Sequence, residues 1–359
     1  MKIAIVAPVM VPVPPPKYGG VEQIVDELAH GLGERDYAVT VFCSGGSTIA
    51  GKNIERVETS PYPTREHQKE NRTLEIAQIE AVLDRQDEFD AIHFNYEPII
   101  FRAERDGREV NLLDYFKKPV ACTFHNITTI PENIAYYRSA ASLYRHTMVF
   151  VSKNQRSHVS FFPNSKVIYN AILLEHFPLE KHKENYLLFL GRITPVKGIL
   201  EAITVAEKTN IPLIIVAKVD PVDRVFYEKE VKPRIDGTLV RYVGELSVEE
   251  KIEYLKKARC LLFPILWEEP FGLVMVEALA CGTPVVAFRR GSVPEIVRDG
   301  VNGYITDTVD QMIVAIQACE KISPSDCRKS VERFSIGRMV DEYESIFRKL
   351  GNAKINQLG

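Results

Sequence analysis

The chain has 359 residues, 45% of them apolar and 26% charged, with a formal net charge of −3. That length exceeds one ordinary hydrophobic core and predicts two domains of roughly 150–200 residues. Neither half carries an excess of lysine and arginine, which excludes a basic nucleic-acid binder, so no nucleic-acid partner is expected. Six cysteines (Cys43, Cys122, Cys260, Cys281, Cys319, Cys327) are scattered without metal-like pairs and read as reduced thiols of a cytoplasmic protein. Met1–Ala7 is apolar but runs straight into Pro8 and the Pro12–Pro16 cluster, too short for a secretory signal. No run approaches the ~18 apolar residues of a membrane span. A cytoplasmic location is expected, with peripheral contact at the inner face of the membrane left open.

Lys2–Ala7 reads as a short buried strand, and the prolines after it form an irregular loop ending at Tyr18, Gly19 and Gly20. A helix follows, because Val21, Ile24, Val25, Leu28, Ala29 and Leu32 recur with a period near 3.6. The glycines are not spaced as G-x-G-x-x-G, so the hydride-enzyme fingerprint is absent. They still allow a phosphate to approach a helix N-terminus, with a plain tight turn as the competing account. Strand-like runs follow at Ala38–Cys43, Asp90–Phe94, Pro119–Phe124, Thr147–Val151 and Lys166–Tyr169, with helical segments between them, including the polar stretch Arg65–Leu83. Such alternation predicts a parallel doubly wound sheet, in which ligands bind at the carboxyl ends of strands. That rule selects His93, Asn95, His125, Asn126 and Ser152. His125 ends an apolar strand, where a histidine has no packing reason to be, although a capping or loop-bonding role would also place it there. His93 and Asn95 read equally as acceptor-side or structural.

A linker is expected between Leu173 and Asn185. Beyond it, Tyr186–Leu190 is a buried strand, followed by a loop with Arg192 and Lys197 and a helix carrying Ile199, Ala202, Ile203 and Ala206. Two fixed cations at a strand's carboxyl end suit a diphosphate. Pro212–Ala217 is a further strand, ending at Lys218-Val219-Asp220, and Arg241–Gly244 and Pro284–Phe288 continue the pattern. Gly337–Leu350 is helical, with Val340, Tyr343, Ile346, Phe347 and Leu350 on one face.

The chain is organised around Leu261–Arg298. A β-like run, Leu261–Ile265, leads through Trp267-Glu268-Glu269-Pro270-Phe271-Gly272 into a helical pattern from Leu273 to Ala280. Pro270 belongs just before or within a first turn, so the helix should start near Gly272. The N–H groups of Phe271, Gly272 and Leu273 then have no acceptor within the helix. Glu269 lies before that N-terminus and Glu277 about a turn inside it, with seven residues between them, so both carboxylates can reach one ligand. Carboxylates flanking open N–H groups suit a polyol such as a sugar or a ribose. Ordinary helix-start acids are the competing account, which fits Glu277 badly among Val274, Val276, Ala278 and Leu279.

The wording Glu269-Pro270-Phe271-Gly272-Leu273-Val274-Met275-Val276-Glu277 resembles the E-x7-E element of retaining glycosyltransferases of family 4, the glycosyl transferases group 1. The resemblance implies the GT-B fold, two Rossmann-like α/β domains facing each other across a cleft. It implies an N-terminal acceptor domain at residues 1–175 and a donor domain at 176–337, with a C-terminal helix near 338–359 packing back on the first. It implies a metal-independent hexosyltransferase with a front-face mechanism, no cofactor, and a nucleoside-diphosphate sugar as substrate. Glu269, Phe271, Gly272 and Leu273 would hold donor-sugar hydroxyls, and Glu277 the ribose. Arg192, Lys197 and Gly20 would hold the diphosphate, the backbone at Val243 and Gly244 would read the base edge, and His125 would stand beside the donor sugar. Lys218 departs from a glycine turn common in the family. The acceptor, a small molecule, a glycan or a lipid-linked sugar, would meet Tyr18, Asn95 and Asn126, and Arg138, Arg145, Lys153 and Arg156 are a basic cluster suited to a lipid or to solvent. A sugar-nucleotide epimerase, a phosphorylase and a non-catalytic sugar-binding module are the competing readings.

Overall fold

The structure, a computed structural model, describes residues 1–17, 19–61, 63 and 70–352. It divides into two units: Met1–Ala171 together with the segment that begins at Ile336, and Ile172–Ser335.

In the first unit the short apolar runs become the strands β1 (Lys2–Val6), β2 (Ala38–Ser44), β3 (Ile54–Ser60), β4 (Ala91–Phe94), β7 (Ala121–Phe124), β8 (Thr147–Phe150) and β9 (Ser165–Val167). A small antiparallel hairpin, β5 (Arg102–Arg105) with β6 (Arg108–Asn111), interrupts the series. The seven-stranded parallel sheet has the order β3-β2-β1-β4-β7-β8-β9. Its helices are α1 (Gly20–Gly33), α2 (Asn71–Asp84), α3 (Pro131–Ser139) and α4 (Lys153–Ser157). The helix expected over Arg65–Leu83 thus begins at Asn71, with residues 65–69 outside the described residues. Strand β3 carried no clear sequence signal because it is an edge strand, IERVETS, whose side chains are half-buried or exposed.

The second unit repeats the plan. Its elements are β10 (Leu187–Arg192), α5 (Ile199–Thr209), β11 (Leu213–Lys218), the single turn α6 (Arg224–Phe226), β12 (Val240–Gly244), α7 (Val248–Lys257), β13 (Cys260–Phe263), α8 (Leu273–Ala280), β14 (Val285–Phe288), α9 (Val293–Ile296), β15 (Gly303–Thr306), α10 (Val309–Ala318) and α11 (Pro324–Val331). The six-stranded parallel sheet has the order β12-β11-β10-β13-β14-β15. In both sheets the strand order reverses once, between β1 and β4 and between β10 and β13, and ligands of such sheets gather at the strand carboxyl ends beside that reversal. Those ends lead into the proline loop and Asn95 in one unit, and into Arg192 and the 264–272 loop in the other.

The segment expected as a linker, Leu173–Asn185, is pinned to the second unit. Lys183 Nζ donates to the carbonyls of Lys256 (2.7 Å) and Cys281 (3.1 Å) and to Thr283 Oγ1 (2.9 Å). Burial pushes the Lys183 ammonium down to about 8. Arg328 clamps the Leu174 and Phe177 carbonyls from α11. Helix α12 (Ile336–Gly351) belongs with the first unit. It buries Met339, Val340, Tyr343, Ile346, Phe347 and Leu350 and presses Val340 against Gly31 of α1, where a Cβ would lie 2.5 Å from Val340 Cγ2.

Candidate active site

In the second unit, β10 and β11 run side by side with Arg192 level with Lys218. One carboxylate serves both: Asp220 accepts from Arg192 Nη1 at 3.2 Å and from Lys218 Nζ at 2.9 Å. Burial would raise the Asp220 carboxyl, but the Lys218 ammonium and the Arg192 guanidinium outweigh it and hold the group below its usual value. Lys197 follows β10 and reaches the loop after β13. Its Nζ lies 2.5 Å from Glu269 Oε2, 5.1 Å from the centre of the Trp267 ring and 5.9 Å from that of Phe263. The Trp267 indole N–H donates to the same Glu269 Oε2 at 2.7 Å.

Helix α8 opens at Gly272, whose φ of 80° is open to glycine at little cost. The acidic loop before it is braced from β14. Gly291 N–H donates to Glu268 Oε2 (2.9 Å), Ser292 N–H to the Glu269 carbonyl (2.9 Å), and Ser292 Oγ to the Phe271 carbonyl (2.6 Å). A Cβ at Gly291 would lie 2.2 Å from the Glu269 carbonyl oxygen, so that approach needs glycine. About one turn into the helix, buried Glu277 takes Lys251 Nζ on Oε1 at 2.8 Å, while its Oε2 is buried without a hydrogen-bond partner among the described residues. An orphaned buried carboxylate oxygen has lost its water and gained nothing in return, so a hydroxyl donor arriving there is favoured.

In the first unit the His125–Asn126 turn is gripped from both sides. Glu97, buried just past β4, accepts on one oxygen, Oε1, from His125 N–H (3.0 Å), Asn126 N–H (2.8 Å) and Asn126 Nδ2 (2.9 Å). Burial raises the Glu97 carboxyl in spite of those bonds. Buried Gln155 donates through Nε2 to the carbonyls of Phe124 (3.1 Å) and Asn126 (2.7 Å). His125 Nε2 lies 3.0 Å from Asn95 Oδ1, and Asn95 Nδ2 donates to the Val6 carbonyl at 3.0 Å. With the Asn95 amide committed that way round, Oδ1 can only accept, so the network assigns the proton to His125 Nε2 and leaves Nδ1 as an acceptor. Burial depresses the ring to about 4, so it is neutral near pH 7.

The family profile "Glycosyl transferases group 1" matches residues 172–331, and that of "Glycosyltransferase Family 4" matches residues 18–176. The chain belongs to the group 1 glycosyltransferases. N-acetyl-alpha-D-glucosaminyl L-malate synthase of Bacillus anthracis is 33% identical over 128 residues, 31% of this chain and 34% of that protein. The glycosyltransferase thus spans a third to about half of the length of the first curated relatives it matches. Sucrose-phosphate synthase from Thermosynechococcus elongatus shares the fold at a TM-score of 0.77 with 19% identity, over 98% of this chain and 100% of that one. HepE from Anabaena, solved with UDP-glucose, gives 0.72 and 18% over the same shares of each chain. Two parallel-sheet domains of the GT-B kind are therefore the glycosyltransferase's fold.

The structure brings Arg192, Lys197, Glu269, Phe271, Gly272, Leu273 and Glu277 to the carboxyl ends of β10 and β13 and the start of α8. Val243 and Gly244 end the edge strand β12, where Gly244 has φ 86°. Gly20 is the first residue of α1. Tyr18 lies outside the described residues. His93 is fully buried, with Nε2 2.7 Å from Thr123 Oγ1 and its ring against Tyr343 of α12. It sits within β4 and faces the core, which settles its structural reading. Ser152 does not face a ligand either: it is buried and caps α4 by accepting from Gln155 N–H at 3.1 Å. Asn95 is buried and both ends of its amide are committed, so it orients His125. In the basic cluster, Arg138 stacks on Phe161, Arg145 donates to the Phe116 carbonyl and Arg156 to Ser165 Oγ.

Sequence reasoning missed Glu97, Gln155, Lys251 and Asp220 as parts of the site, because each pairs with a partner 26 or more residues away. Trp267 stood in the same stretch as Glu269 and drew no role. Among the described residues, no group of three or more His, Cys, Asp or Glu could hold a metal ion, and no helix is long and apolar enough to cross a membrane. A cavity of about 440 Å³, lined by Tyr186, Pro212, Arg241 and Lys257 among others, lies at the amino ends of the second unit's strands, away from these side chains.

Proposed function

We propose that the protein moves a hexosyl group from a nucleoside-diphosphate sugar to an acceptor hydroxyl, with retention of configuration and without a metal ion. The observation that carries this reading is the pair of buried acids on α8 and its preceding loop. Each is tied to a lysine, and Glu277 Oε2 is left for a hydroxyl donor. Glu277 takes the ribose and Glu269 the sugar. Gly272 and Leu273 offer their N–H groups beside them, with Phe271 alongside, while Val243 and Gly244 offer backbone to the base. Arg192 and Lys197 stabilise the departing diphosphate, the work a metal would otherwise do, aided by the N-terminus of α1 at Gly20. The UDP-glucose held by HepE supports a uridine donor.

Double displacement needs a carboxylate nucleophile on the far face of the anomeric carbon. Glu269, with a lysine and an indole on one oxygen, is better suited to positioning. Retention then follows from front-face attack, in which the C–O bond to phosphate breaks as the acceptor oxygen bonds the same face. The leaving phosphate oxygen takes the acceptor's proton. Neutral His125 contributes its Nδ1 and the carbonyl of its turn beside the sugar, and Asn126 and Tyr18 border the acceptor. Product analysis by NMR, reading the anomeric H1–H2 coupling, with UDP-, GDP- and ADP-sugars in the presence of EDTA, tests this reading. An α-linked product from an α-linked donor is expected. An inverted product removes the front-face mechanism, loss of turnover restored by Mg²⁺ or Mn²⁺ removes metal independence, and an isomerised donor without transfer removes the transferase.

A further inference from the structure

Glu269 receives two donors, and both fall on the same oxygen. Lys197 Nζ is 2.5 Å and the Trp267 indole nitrogen 2.7 Å from Oε2. Glu269 and Lys197 keep only 10% and 13% of their side-chain surface. A carboxylate in so dry a setting holds a fixed orientation, and two donors on one oxygen turn the other toward whatever lies in front of the loop. The lysine is itself boxed: Trp267 and Phe263 present their rings to it, and aromatic faces attract an ammonium. Trp267 therefore touches both partners, the acid through its N–H and the cation through its ring.

We propose that Trp267 is a positioning residue for donor recognition, fixing Glu269 through Oε2 and coupling the acid that takes the sugar to the cation that takes the diphosphate. The inference rests on the donor reading above and deepens it. While Lys197 is neutralised by Glu269, neither is fully available: a free hexose meets an acid already paired, and a phosphate meets a cation already paired. A diphosphate brings more negative charge than one carboxylate and offers Lys197 a second partner for its three N–H donors. As the ammonium turns toward phosphate, Trp267 keeps Glu269 in place, and the carboxylate gains capacity for sugar hydroxyls. Sugar recognition becomes conditional on phosphate, and hexose without a nucleotide is rejected.

The chain has a single tryptophan, so indole emission reports this cluster directly. In paired calorimetric and fluorescence titrations of the wild-type protein, UDP is expected to bind and shift the Trp267 emission, whereas glucose alone is expected to do neither. UDP binding by calorimetry with no change in emission overturns the coupling. Trp267→Phe keeps a ring and loses the N–H. It is expected to hold UDP within about twofold of wild type, to lose about tenfold of the extra affinity that UDP-glucose has over UDP, and to lower kcat about tenfold, the scale of one hydrogen bond to a charged group. Trp267→His, which restores a ring N–H, should recover part of that loss. A Phe variant with an unchanged UDP-glucose to UDP ratio and unchanged kcat overturns the role of Trp267. Failure of UDP, GDP and ADP alike to bind the folded wild-type protein would instead bring down the donor reading itself.

Discussion

The His125–Asn126 turn of the first unit follows β7, one strand beyond the reversal of its sheet, and the Trp267–Gly272 loop of the second follows β13 at the reversal itself, and the two are fixed in different ways. Around His125 the grip is made of buried hydrogen bonds: Glu97 accepts three N–H groups and Gln155 donates to two carbonyls. Around Glu269 and Glu277, backbone bracing from Gly291 and Ser292 holds the loop, but the acid side chains are held by opposite charges, Lys197 on one and Lys251 on the other. A turn held by committed hydrogen bonds is rigid and presents little spare capacity. Ion pairs can be reopened by a charged ligand, since a lysine that loses a carboxylate to a phosphate keeps a partner. On the function proposed above, the difference casts the first turn as a scaffold and the second loop as the part that would exchange contacts with an anionic donor.

The charged side of the comparison carries the largest expected effect. Arg192→Ala and Lys197→Ala should each lower turnover by at least ~10²-fold, the scale of removing a group that stabilises developing charge. Steady-state kinetics showing near-normal rates in both variants would remove the diphosphate from this cluster.

The two acids come next, and they separate. Glu277→Ala should weaken both UDP and UDP-glucose by about tenfold or more, because a hydrogen bond to a charged group contributes roughly 1.5–3 kcal/mol. Glu269→Ala should weaken UDP-glucose by a similar factor while UDP, meeting a Lys197 released from its pair, binds at least as tightly as to the wild type. Calorimetry in which either change weakens both ligands equally contradicts that division.

On the scaffold side, Glu97→Ala leaves the His125 and Asn126 N–H groups without their acceptor. Urea unfolding should show a loss of about 2 kcal/mol, as for other buried donors left unpaired, together with a fall in kcat. Glu97→Gln keeps an acceptor oxygen and should recover most of both. Equal stability of all three proteins would make the Glu97 network incidental.

Much of this was legible in the sequence where the signal was local. The period-3.6 pattern of α1, the apolar strands, and the spacing of Glu269 and Glu277 across the start of α8 each depend on neighbours within a dozen residues. The strand-end rule selected His125 together with His93 and Ser152, because it counts position along a strand and is blind to which face a side chain takes. His93 points at α12, some 250 residues later in the chain, and nothing near it in sequence says so. The segment expected as a linker shows a related effect: its lysines and acids look solvated, but Lys183 has three acceptors waiting on distant segments. Lys218, an oddity in sequence, acquires its reason only when β11 lies beside β10 and both cations meet Asp220.

His93 also yields the smallest effect, and it sharpens the contrast because it belongs wholly to the hydrogen-bonded unit. Burial depresses its ring to about 3, with the neighbouring His125 adding to the shift, whereas an exposed histidine titrates near 6.5. As pH falls from 7, the unfolded chain takes up this proton first while the folded ring stays neutral. The contribution is therefore intact above pH ~6.5 and is lost progressively as pH drops toward the folded value. His93→Leu removes the titration along with the bond to Thr123, so at pH 7 the variant should be the less stable protein. Between pH 7 and pH 5 that gap should narrow by about 1–2 kcal/mol, the linkage expected of one such group. Taking the difference between the two proteins cancels the other buried groups of the unit, including His146, which burial also lowers to about 3, and Glu97, which burial raises. A gap that stays constant with pH would mean that water reaches the ring, and the packing of α12 over β4 would then have to be looser than the contacts of Tyr343 and Phe347 with His93 indicate.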